Sequence, residues 1–195
     1  MRFDFVDIGT ANFDTSLDLM KEGQNILLVE PIKYYLDQLP SGPNIYKVNG
    51  AISRRHGRGK MFYVGEELIK KYGMPDWIRG CNSFNDYHPT VIKLFHQLSI
   101  SIKKISCVYV PVYTVRNLVK SFKITSIGFL KIDTEGHDHV ILKYILEEMK
   151  RGLKVKTIKI EYNSVFGNTT KIDDLIMKSD YSTASLLEDN LTIDF

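Results

Sequence analysis

An apolar run that ends abruptly in acidic residues and a glycine constrains this chain more than any other feature. Residues 127–130 form the apolar run, and residues 131–138, with the sequence KIDTEGHD, follow it. Such a run is typical of a buried parallel strand, and open α/β sheets bind ligands just beyond the carboxyl ends of such strands. Asp133 and Glu135 would therefore meet at a strand tip, where two crowded acids are costly unless a function uses them.

A second strand-to-turn pattern lies at the amino end of the chain. Residues 3–8 have the pattern of a strand, and Gly9 follows them directly. A glycine lets the backbone approach a ligand closely, and the start of a following helix favours a carboxylate or a phosphate. The full G-x-G-x-x-G fingerprint is absent, so an ordinary turn remains an alternative. Together the two patterns favour an α/β enzyme that acts on small molecules.

The composition places the chain among ordinary globular proteins. It has 195 residues, of which 44% are hydrophobic and 25% charged, so residues 1–195 suit one domain with a sizeable core. The net charge of +3 permits a phosphorylated or nucleic-acid partner without requiring one. Cys81 and Cys107 are too few for a disulfide framework or a zinc cluster, which favours reduced thiols.

The apolar residues at the amino end do not resemble a signal peptide, because Asp4 and Asp7 interrupt them. No apolar run approaches the roughly 20 residues that a membrane-spanning helix needs. The sequence therefore predicts a cytoplasmic protein with no membrane span. It leaves the oligomeric state open.

Strands and helices alternate along most of the chain. The predicted strands cover residues 3–8, 26–31, 45–53, 106–112, 127–133 and 157–162. The predicted helices cover residues 15–23, 32–39, 90–98, 115–122, 139–149 and 172–178. Residues 182–187 and 191–195 suit a closing hairpin. This alternation predicts a doubly wound, Rossmann-like and mostly parallel sheet.

Two segments between residues 54 and 89 break the alternation. Residues 54–60 have the composition of a basic turn, which we expect to join a hairpin through residues 61–64. This turn could bind an anionic acceptor, or it could simply face solvent. Residues 77–89 have no clear period and many polar and aromatic side chains, as functional loops often do. Four polar side chains there could face an acceptor substrate, beside Trp77 or Phe84 as a wall: Asn82, Ser83, Asn85 and His88. An ordinary surface loop is equally compatible with the pattern.

Glu30 ends the second predicted strand, about 20 residues after the glycine turn, and Pro31 follows it. Dinucleotide-binding folds place an acid there to accept hydrogen bonds from a ribose diol. A solvated acid at a strand end is the alternative. The glycine turn and Glu30 together form a more specific signal than either alone.

With these motifs, the chain resembles the FkbM-type methyltransferases, which are class I enzymes dependent on S-adenosylmethionine. The resemblance is carried by an Asp-x-Gly first strand end, Val-Glu-Pro at residues 29–31, Asn-x-Ala-Ile-Ser at residues 49–53, and Lys-Ile-Asp-Thr-Glu-Gly-His at residues 131–137. Ile-Glu-Tyr-Asn at residues 160–163 is similar to the family's fifth strand end. The second glycine that the family usually has is replaced by other residues at positions 10–13.

The resemblance implies a methyltransferase sheet with an antiparallel C-terminal hairpin and S-adenosylmethionine as cofactor. It implies that Asp7 and Gly9 lie near the methionine moiety and that Glu30 binds the ribose. Further residues are expected to border the cofactor: Thr10, Pro31, Asn49, Ala51 and, beside the sulfonium, Asp133.

The acids after the central strand allow two chemical interpretations. Asp133 or Glu135 could act as general base on a hydroxyl, or the pair could hold a hard divalent cation. His137 is a further candidate base. In the structural alternative, Glu135 caps the following helix and Asp133 orders the loop. The sequence therefore leaves a metal requirement undecided.

Three functions remain after these arguments. The first is O-methylation of a hydroxyl on a sugar, glycolipid or small metabolite. The second is methylation of a nucleic-acid ribose, which ranks lower because that chemistry usually uses a lysine where this chain has Glu161. The third is a Rossmann-like binding module without catalysis, which the altered glycine turn favours and the acids at the strand ends oppose.

Overall fold

The computed structural model describes residues 1–11, 21, 23–84 and 86–195. The strands are β1 (Arg2–Ile8), β2 (Ile26–Glu30), β3 (Ile45–Asn49), β4 (Ala51–Ile52), β5 (Gly57–Tyr63), β6 (Ser83–Phe84), β7 (Ser106–Tyr113), β8 (Ser126–Ile132), β9 (Lys154–Glu161), β10 (Thr183–Leu187) and β11 (Asn190–Asp194). The helices are α1 (Lys33–Gln38), α2 (Glu66–Tyr72), α3 (Pro89–Gln97), α4 (Val115–Ser121), α5 (Asp138–Lys150) and α6 (Thr169–Ile176). Asp76–Arg79 and Ile102–Lys104 form short 3₁₀ turns.

A seven-stranded sheet forms the centre of the protein, in the order β10-β11-β9-β8-β1-β2-β3. The strands from β9 to β3 are parallel, whereas β11 runs antiparallel to both β9 and β10. The predicted mostly parallel α/β sheet with an antiparallel C-terminal hairpin is therefore confirmed. β1 lies between β2 and β8, which brings the glycine turn beside the acidic strand tip.

The apolar sequence of β2 explains its central position. All five of its residues are buried, and the four apolar ones divide between two cores. Leu27 and Val29 pack in the main core, which includes residues of α4, α5 and α6. Ile26 and Leu28 pack with α1 through Leu36. A strand that buries both faces needs a continuous apolar run, and β2 has one.

A second sheet of four strands, in the order β4-β7-β5-β6, was not expected from the sequence. The strand predicted over residues 45–53 divides at Gly50, so that β3 joins the central sheet and β4 joins the small one. A side chain at position 50 would meet the ring of Tyr113 at 2.6 Å. The strand predicted over residues 106–112 is β7, which pairs with β4 and β5 instead of the central sheet.

The region between residues 54 and 89 is more ordered than its sequence pattern indicated. Gly57 to Lys60, which were expected in a turn, form the first half of β5. α2 was not predicted, although Gly73 ends it with a left-handed φ of 57°. Residues 77–84 and 86–89 are not an ordinary surface loop, because Ile78 lies in a buried core with Phe95 and the side chains of Asn82, Ser83 and His88 are also buried.

Most predicted helices agree with α1, α3, α4 and α5 to within about two residues, and α6 begins three residues before its predicted start. The helix predicted over residues 15–23 falls largely outside the described residues. No helix among the described residues has the length and apolar character needed to cross a bilayer.

Candidate functional site

A cavity of about 50 Å³ lies beyond the carboxyl ends of β1, β2 and β8. Three groups of residues line it. The strand ends and turns of the central sheet contribute Ile8, Gly9, Ala11, Val29, Glu30 and Pro31, and the loop after β8 contributes Asp133, Thr134, Glu135 and His137. The opposite wall consists of Gly50, Ala51, Ile52, Met61, Gly80, Asn82 and Phe84. The small sheet therefore covers the edge of the central sheet at which the carboxyl ends of β1, β2 and β8 meet.

Gly9 connects the first strand to this cavity through a left-handed turn. Its φ is 88°, and a side chain there would overlap the carbonyl oxygen of Asp133. The amide of Gly9 donates to the oxygen of Val29 at 2.9 Å, and the amide of Asp133 donates to the oxygen of Ile8 at 3.0 Å. Position 9 must therefore be a glycine because the backbone of Asp133, just after β8, lies so close to it. From the sequence we expected a glycine there for another reason, the close approach of a ligand.

Glu30 is buried at the end of β2, with 2% of its surface exposed. Its Oε2 accepts a hydrogen bond from the amide of Ala11 at 2.9 Å, and its Oε1 accepts one from the amide of Ile32 at 2.7 Å. Burial raises the pKa of Glu30 to about 7, and nearby Asp7 adds to the rise, while the two amides oppose it. Glu30 therefore joins the glycine turn to the second strand tip, and the alternative of a solvated acid is excluded.

Asp138 folds the loop that follows β8. Its Oδ1 accepts from the amide of Thr134 at 2.8 Å and from the Thr134 hydroxyl at 3.0 Å, and its Oδ2 accepts from the amide of Gly136 at 3.1 Å. Asn168 fixes the other side of the loop by donating to the oxygen of Gly136 at 2.7 Å. Glu135 has a left-handed φ of 51° within this loop. Asp138 therefore orders this loop, no described side chain caps the start of α5, and the Glu135 side chain is left to face the cavity.

Three carboxylates meet at the tips of β8 and β9. Asp133, Glu135 and Glu161 each place an oxygen within 4.8 Å of the others. Asp133 is paired with the buried amine of Lys131 at 3.2 Å. Burial, reinforced by the negative charge of Asp133, raises the pKa of Glu135 well above its ordinary value. Burial and the charge of Glu135 likewise raise the pKa of Glu161.

His137 occupies the cavity wall between the loop and the small sheet. Its Nε2 lies 3.0 Å from the hydroxyl of Ser53, and its ring packs against Phe84 with centroids 5.3 Å apart. Burial, together with nearby His139 and Arg54, lowers the pKa of His137 to about 4. The imidazole is therefore neutral at pH 7.

His88 lies behind the cavity wall, in contact with Glu135. Its Nε2 is 2.7 Å from Oε2 of Glu135, and its Nδ1 accepts a hydrogen bond from the amide of Thr90 at 3.1 Å. The ring of Phe166 meets it edge-on, with centroids 4.8 Å apart. Burial lowers the pKa of His88 to about 4, so this imidazole is also neutral at pH 7.

Asn82 presents an unsatisfied acceptor. Its amide nitrogen donates to the oxygen of Arg79 at 2.8 Å, which fixes the orientation of the amide group. Its Oδ1 is buried and has no hydrogen-bond partner among the described residues. A buried acceptor without a partner costs about 1–3 kcal/mol, and such a group in a cavity wall is suited to a donor on a ligand.

One comparison with known proteins identifies the family. The Methyltransferase FkbM domain matches residues 7–182, from the end of β1 to the residue before β10. The chain belongs to the FkbM methyltransferase family. The match covers both the glycine turn and the acidic loop of the FkbM domain. Neither a curated protein nor a solved structure matches the chain.

The FkbM domain brings together many of the residues that the sequence singled out. Those lining the cavity are Gly9, Glu30, Pro31, Ala51, Asn82, Asp133, Glu135 and His137. Five others do not line it: Asp7, Thr10, Asn49, Ser83 and His88. Asn49 instead donates to the oxygens of Glu30 and Pro31, both at 3.0 Å. Ser83 donates to the oxygen of Asp86. Asn85 lies outside the described residues.

Two groups in the described part of the FkbM domain have the composition of metal ligands. In the first, Cys81, His88 and Glu135 each place an atom within 4.8 Å of the others. The hydrogen bond from Thr90 to Nδ1 of His88 leaves the imidazole proton on Nε2, the atom that would face an ion. The second group is the three carboxylates, whose oxygens suit a hard cation. Lys131 and His88 already bond to two of these acids, and we assign no metal ion to either group.

Several residues of the site were not singled out by the sequence. Lys131 and Asp138 were visible within the motif at residues 131–138, but their partners were not. Met61 lines the cavity only because β5 belongs to a second sheet. No local sequence pattern marks Met61 as part of the site, because the partner strand β7 is distant in the sequence.

Proposed function

We propose that this FkbM domain is an S-adenosylmethionine-dependent methyltransferase that methylates a hydroxyl oxygen. The observation that carries the proposal is one cavity lined by Gly9 and Glu30 on one side and by Asp133 and Glu135 on the other. The first pair is suited to a nucleoside and the second to an acceptor hydroxyl. Both pairs lie at the switch point of a doubly wound sheet, where such folds bind ligands.

Glu30 and its neighbours can contact the ribose hydroxyls, the adenine and the sulfonium of the cofactor. Each carboxylate oxygen of Glu30 accepts one backbone amide and keeps a second lone pair for a ribose hydroxyl. Ala51 and Ile52 offer an apolar surface for the adenine, and Asp133 offers negative charge to the sulfonium. The cavity of about 50 Å³ is smaller than the roughly 300–1,000 Å³ of most ligand pockets, so cofactor binding requires its walls to separate.

When bound, the cofactor supplies an electrophilic methyl group to the acceptor oxygen. The protein must hold that oxygen in line with the methyl group and take its proton. Glu135 faces the cavity and has a raised pKa, which makes its ionised form a stronger base than an ordinary carboxylate. Asp133, paired with Lys131, is suited to orient the hydroxyl, and His137 completes the wall. We infer that Asn82 Oδ1 accepts a hydrogen bond from the acceptor.

The acidic side chains at the strand tips bear on the class of acceptor. Three acids at the strand tips oppose a phosphate group near the reacting oxygen. The end of β9 carries Glu161, not a lysine, which again disfavours a nucleic-acid ribose. We therefore infer a sugar, a glycolipid or another small hydroxyl compound. The free thiols of Cys81 and Cys107 support a cytoplasmic location as part of the proposal.

Titration calorimetry with S-adenosylmethionine and, separately, with a nicotinamide dinucleotide tests the cofactor. We expect the protein to bind S-adenosylmethionine and not the dinucleotide. Glu30→Ala should lower the affinity for S-adenosylmethionine. Glu67→Ala, which changes an exposed acid on α2, should leave that affinity unchanged. Labelled methyl donor, incubated with panels of monosaccharides, glycolipids and capped RNA, then tests the acceptor. Binding of the dinucleotide alone would contradict the proposal, and so would transfer confined to RNA.

A further inference from the structure

We propose that His88 is a positioning residue that holds the Glu135 carboxylate in place through its Nε2–H. The inference rests on the proposed function, because it assigns to Glu135 the acceptor's proton. His88 does not line the cavity and is 4% exposed, so it has no direct access to a substrate there. It acts on the site only through the residue that it contacts.

The start of α3 decides which nitrogen of His88 carries the proton. His88 is the N-cap residue of α3, and its Nδ1 accepts the amide hydrogen of Thr90. An amide N–H can only donate, so Nδ1 must present a lone pair. A neutral imidazole carries one proton, which must then be on Nε2. The backbone of α3 therefore sets the tautomer of a side chain that contacts the cavity wall.

The proton on Nε2 is directed at Glu135. Nε2 and Oε2 of Glu135 are 2.7 Å apart, the length of a strong hydrogen bond to a carboxylate. The helix cap fixes one edge of the ring, and Phe166 packs edge-on against it with centroids 4.8 Å apart. Rotation of the ring would break both contacts. The donor is thus held rigid before any substrate arrives.

Glu135 needs such a partner because its neighbours repel it. Asp133 and Asp138 disfavour its ionised form, and its left-handed φ of 51° leaves the backbone strained. A cation in place of His88 would stabilise the carboxylate but weaken it as a base. A neutral donor such as the His88 imidazole also fixes the position of the carboxylate, and it weakens the carboxylate as a base less than a cation would.

Two substitutions at His88 each keep one of its two hydrogen bonds and remove the other. His88→Asn keeps an acceptor near the position of Nδ1, so the cap on α3 persists, but it removes the donor to Glu135. His88→Gln keeps a donor near the position of Nε2 and removes the acceptor that caps the helix. A purely structural role and a positioning role therefore predict opposite rankings of the two variants.

We expect His88→Asn to melt a few degrees below wild type, because the ring that packs against Phe166 and the donor to Glu135 are both lost, and to transfer methyl groups about tenfold more slowly to the monosaccharide and glycolipid panel. We expect His88→Gln to melt about 2–4 °C lower while transferring at a rate within about threefold of wild type. The reverse ranking, with His88→Asn active and His88→Gln inactive, would overturn the proposal.

Two measurements test the inference without methyl transfer. Nitrogen NMR of histidine-labelled protein at pH 7 should find His88 neutral with its proton on Nε2. Carbon NMR of glutamate-labelled protein, assigned with Glu135→Gln, should show that the pKa of Glu135 rises further in His88→Asn and stays near its wild-type value in His88→Gln. A proton on Nδ1, or an unchanged Glu135 in His88→Asn, overturns the inference. Failure to bind S-adenosylmethionine instead overturns the proposed function, so the two failures are distinguishable.

Discussion

Gly9 and Asp133 approach so closely that a side chain on Gly9 would occupy the position of the Asp133 carbonyl oxygen. This contact joins the ends of β1 and β8, the two strands whose tips flank the cavity. The amide of Asp133 continues the pairing by donating to Ile8 at 3.0 Å. The glycine turn and the acidic loop are therefore one structural unit, so a change in either affects both.

We expect Gly9→Ala to destabilise the fold and not only to block a ligand. The new methyl group would collide with backbone, which cannot rotate away as a side chain can, and a φ of 88° adds strain. The free energy of unfolding should fall by about 2 kcal/mol or more, measured by denaturant unfolding. Gly152→Ala is a matched control, because Gly152 also has a positive φ, of 107°, but open space around it. Equal losses in both variants would contradict a specific clash at Gly9.

Glu30→Ala should weaken the binding of S-adenosylmethionine by about 1–3 kcal/mol, the range for loss of charge-assisted hydrogen bonds. Calorimetry at pH 8 measures the change. Because the amides of Ala11 and Ile32 lose their acceptor, thermal unfolding must show that the variant is folded at the temperature of the titration. Unchanged affinity in a folded variant would remove Glu30 from the cofactor site.

Glu30 should also make stability depend on pH. Its pKa is about 7 in the folded protein and about 4.5 in the unfolded chain, so the folded state binds more protons between these values. By itself, the Glu30 titration should therefore lower the free energy of unfolding as pH rises from 4.5 to 7. Glu30→Gln lacks this titration, and its stability relative to wild type should rise by about 2–3 kcal/mol between pH 4 and pH 8. A difference that is constant with pH would show that Glu30 has an ordinary pKa.

Asp133→Ala should lower methyl transfer to a true acceptor by roughly 10²-fold or more, because it removes positioning of the reacting groups. Affinity for S-adenosylmethionine should fall much less. The variant also leaves the buried amine of Lys131 without Asp133, so unfolding must be measured alongside activity. Wild-type turnover in Asp133→Ala would show that Asp133 does not orient the acceptor, and Glu135 and His137 would then be the residues to test.

Asn82→Leu tests the unsatisfied acceptor in the cavity wall. Replacement of Asn82 by an apolar side chain removes a buried Oδ1 that has no partner, so we expect stability to change by less than about 1 kcal/mol. The KM for the acceptor should rise at least about fivefold, because a ligand donor loses its partner. Steady-state kinetics measure the KM, and denaturant unfolding measures the stability. An unchanged KM with unchanged stability would show that Asn82 does not contact the acceptor.

The strands of the central sheet and the positions where they end were largely predictable from the sequence. β2 and β8 are apolar runs that end in acids or breakers, and a one-dimensional pattern of this kind reports burial directly. The glycine after β1, Glu30 after β2 and the acids after β8 each mark a strand end. Because parallel strands present their carboxyl ends at one edge, these marks also predicted which side chains would meet.

The small sheet was not predictable in the same way. β4 is only two residues long, and β5 begins in a run of arginines and glycines that has the composition of a turn. Such strands form because a partner is available, and the partner β7 is about 50 residues away in the sequence. Local propensity carries no information about a contact of that range.

The sequence by itself determined the parallel core, the strand tips and the acids that they bring together, since these depend on apolar periodicity and short motifs. Only the tertiary structure decided the partners of those acids. Asp138 folds the loop, Lys131 pairs with Asp133, and His88 reaches Glu135 from 47 residues away. The directions of hydrogen bonds and the electrostatic environment of a buried carboxylate depend on groups distant in the chain, and folding alone brings those groups together.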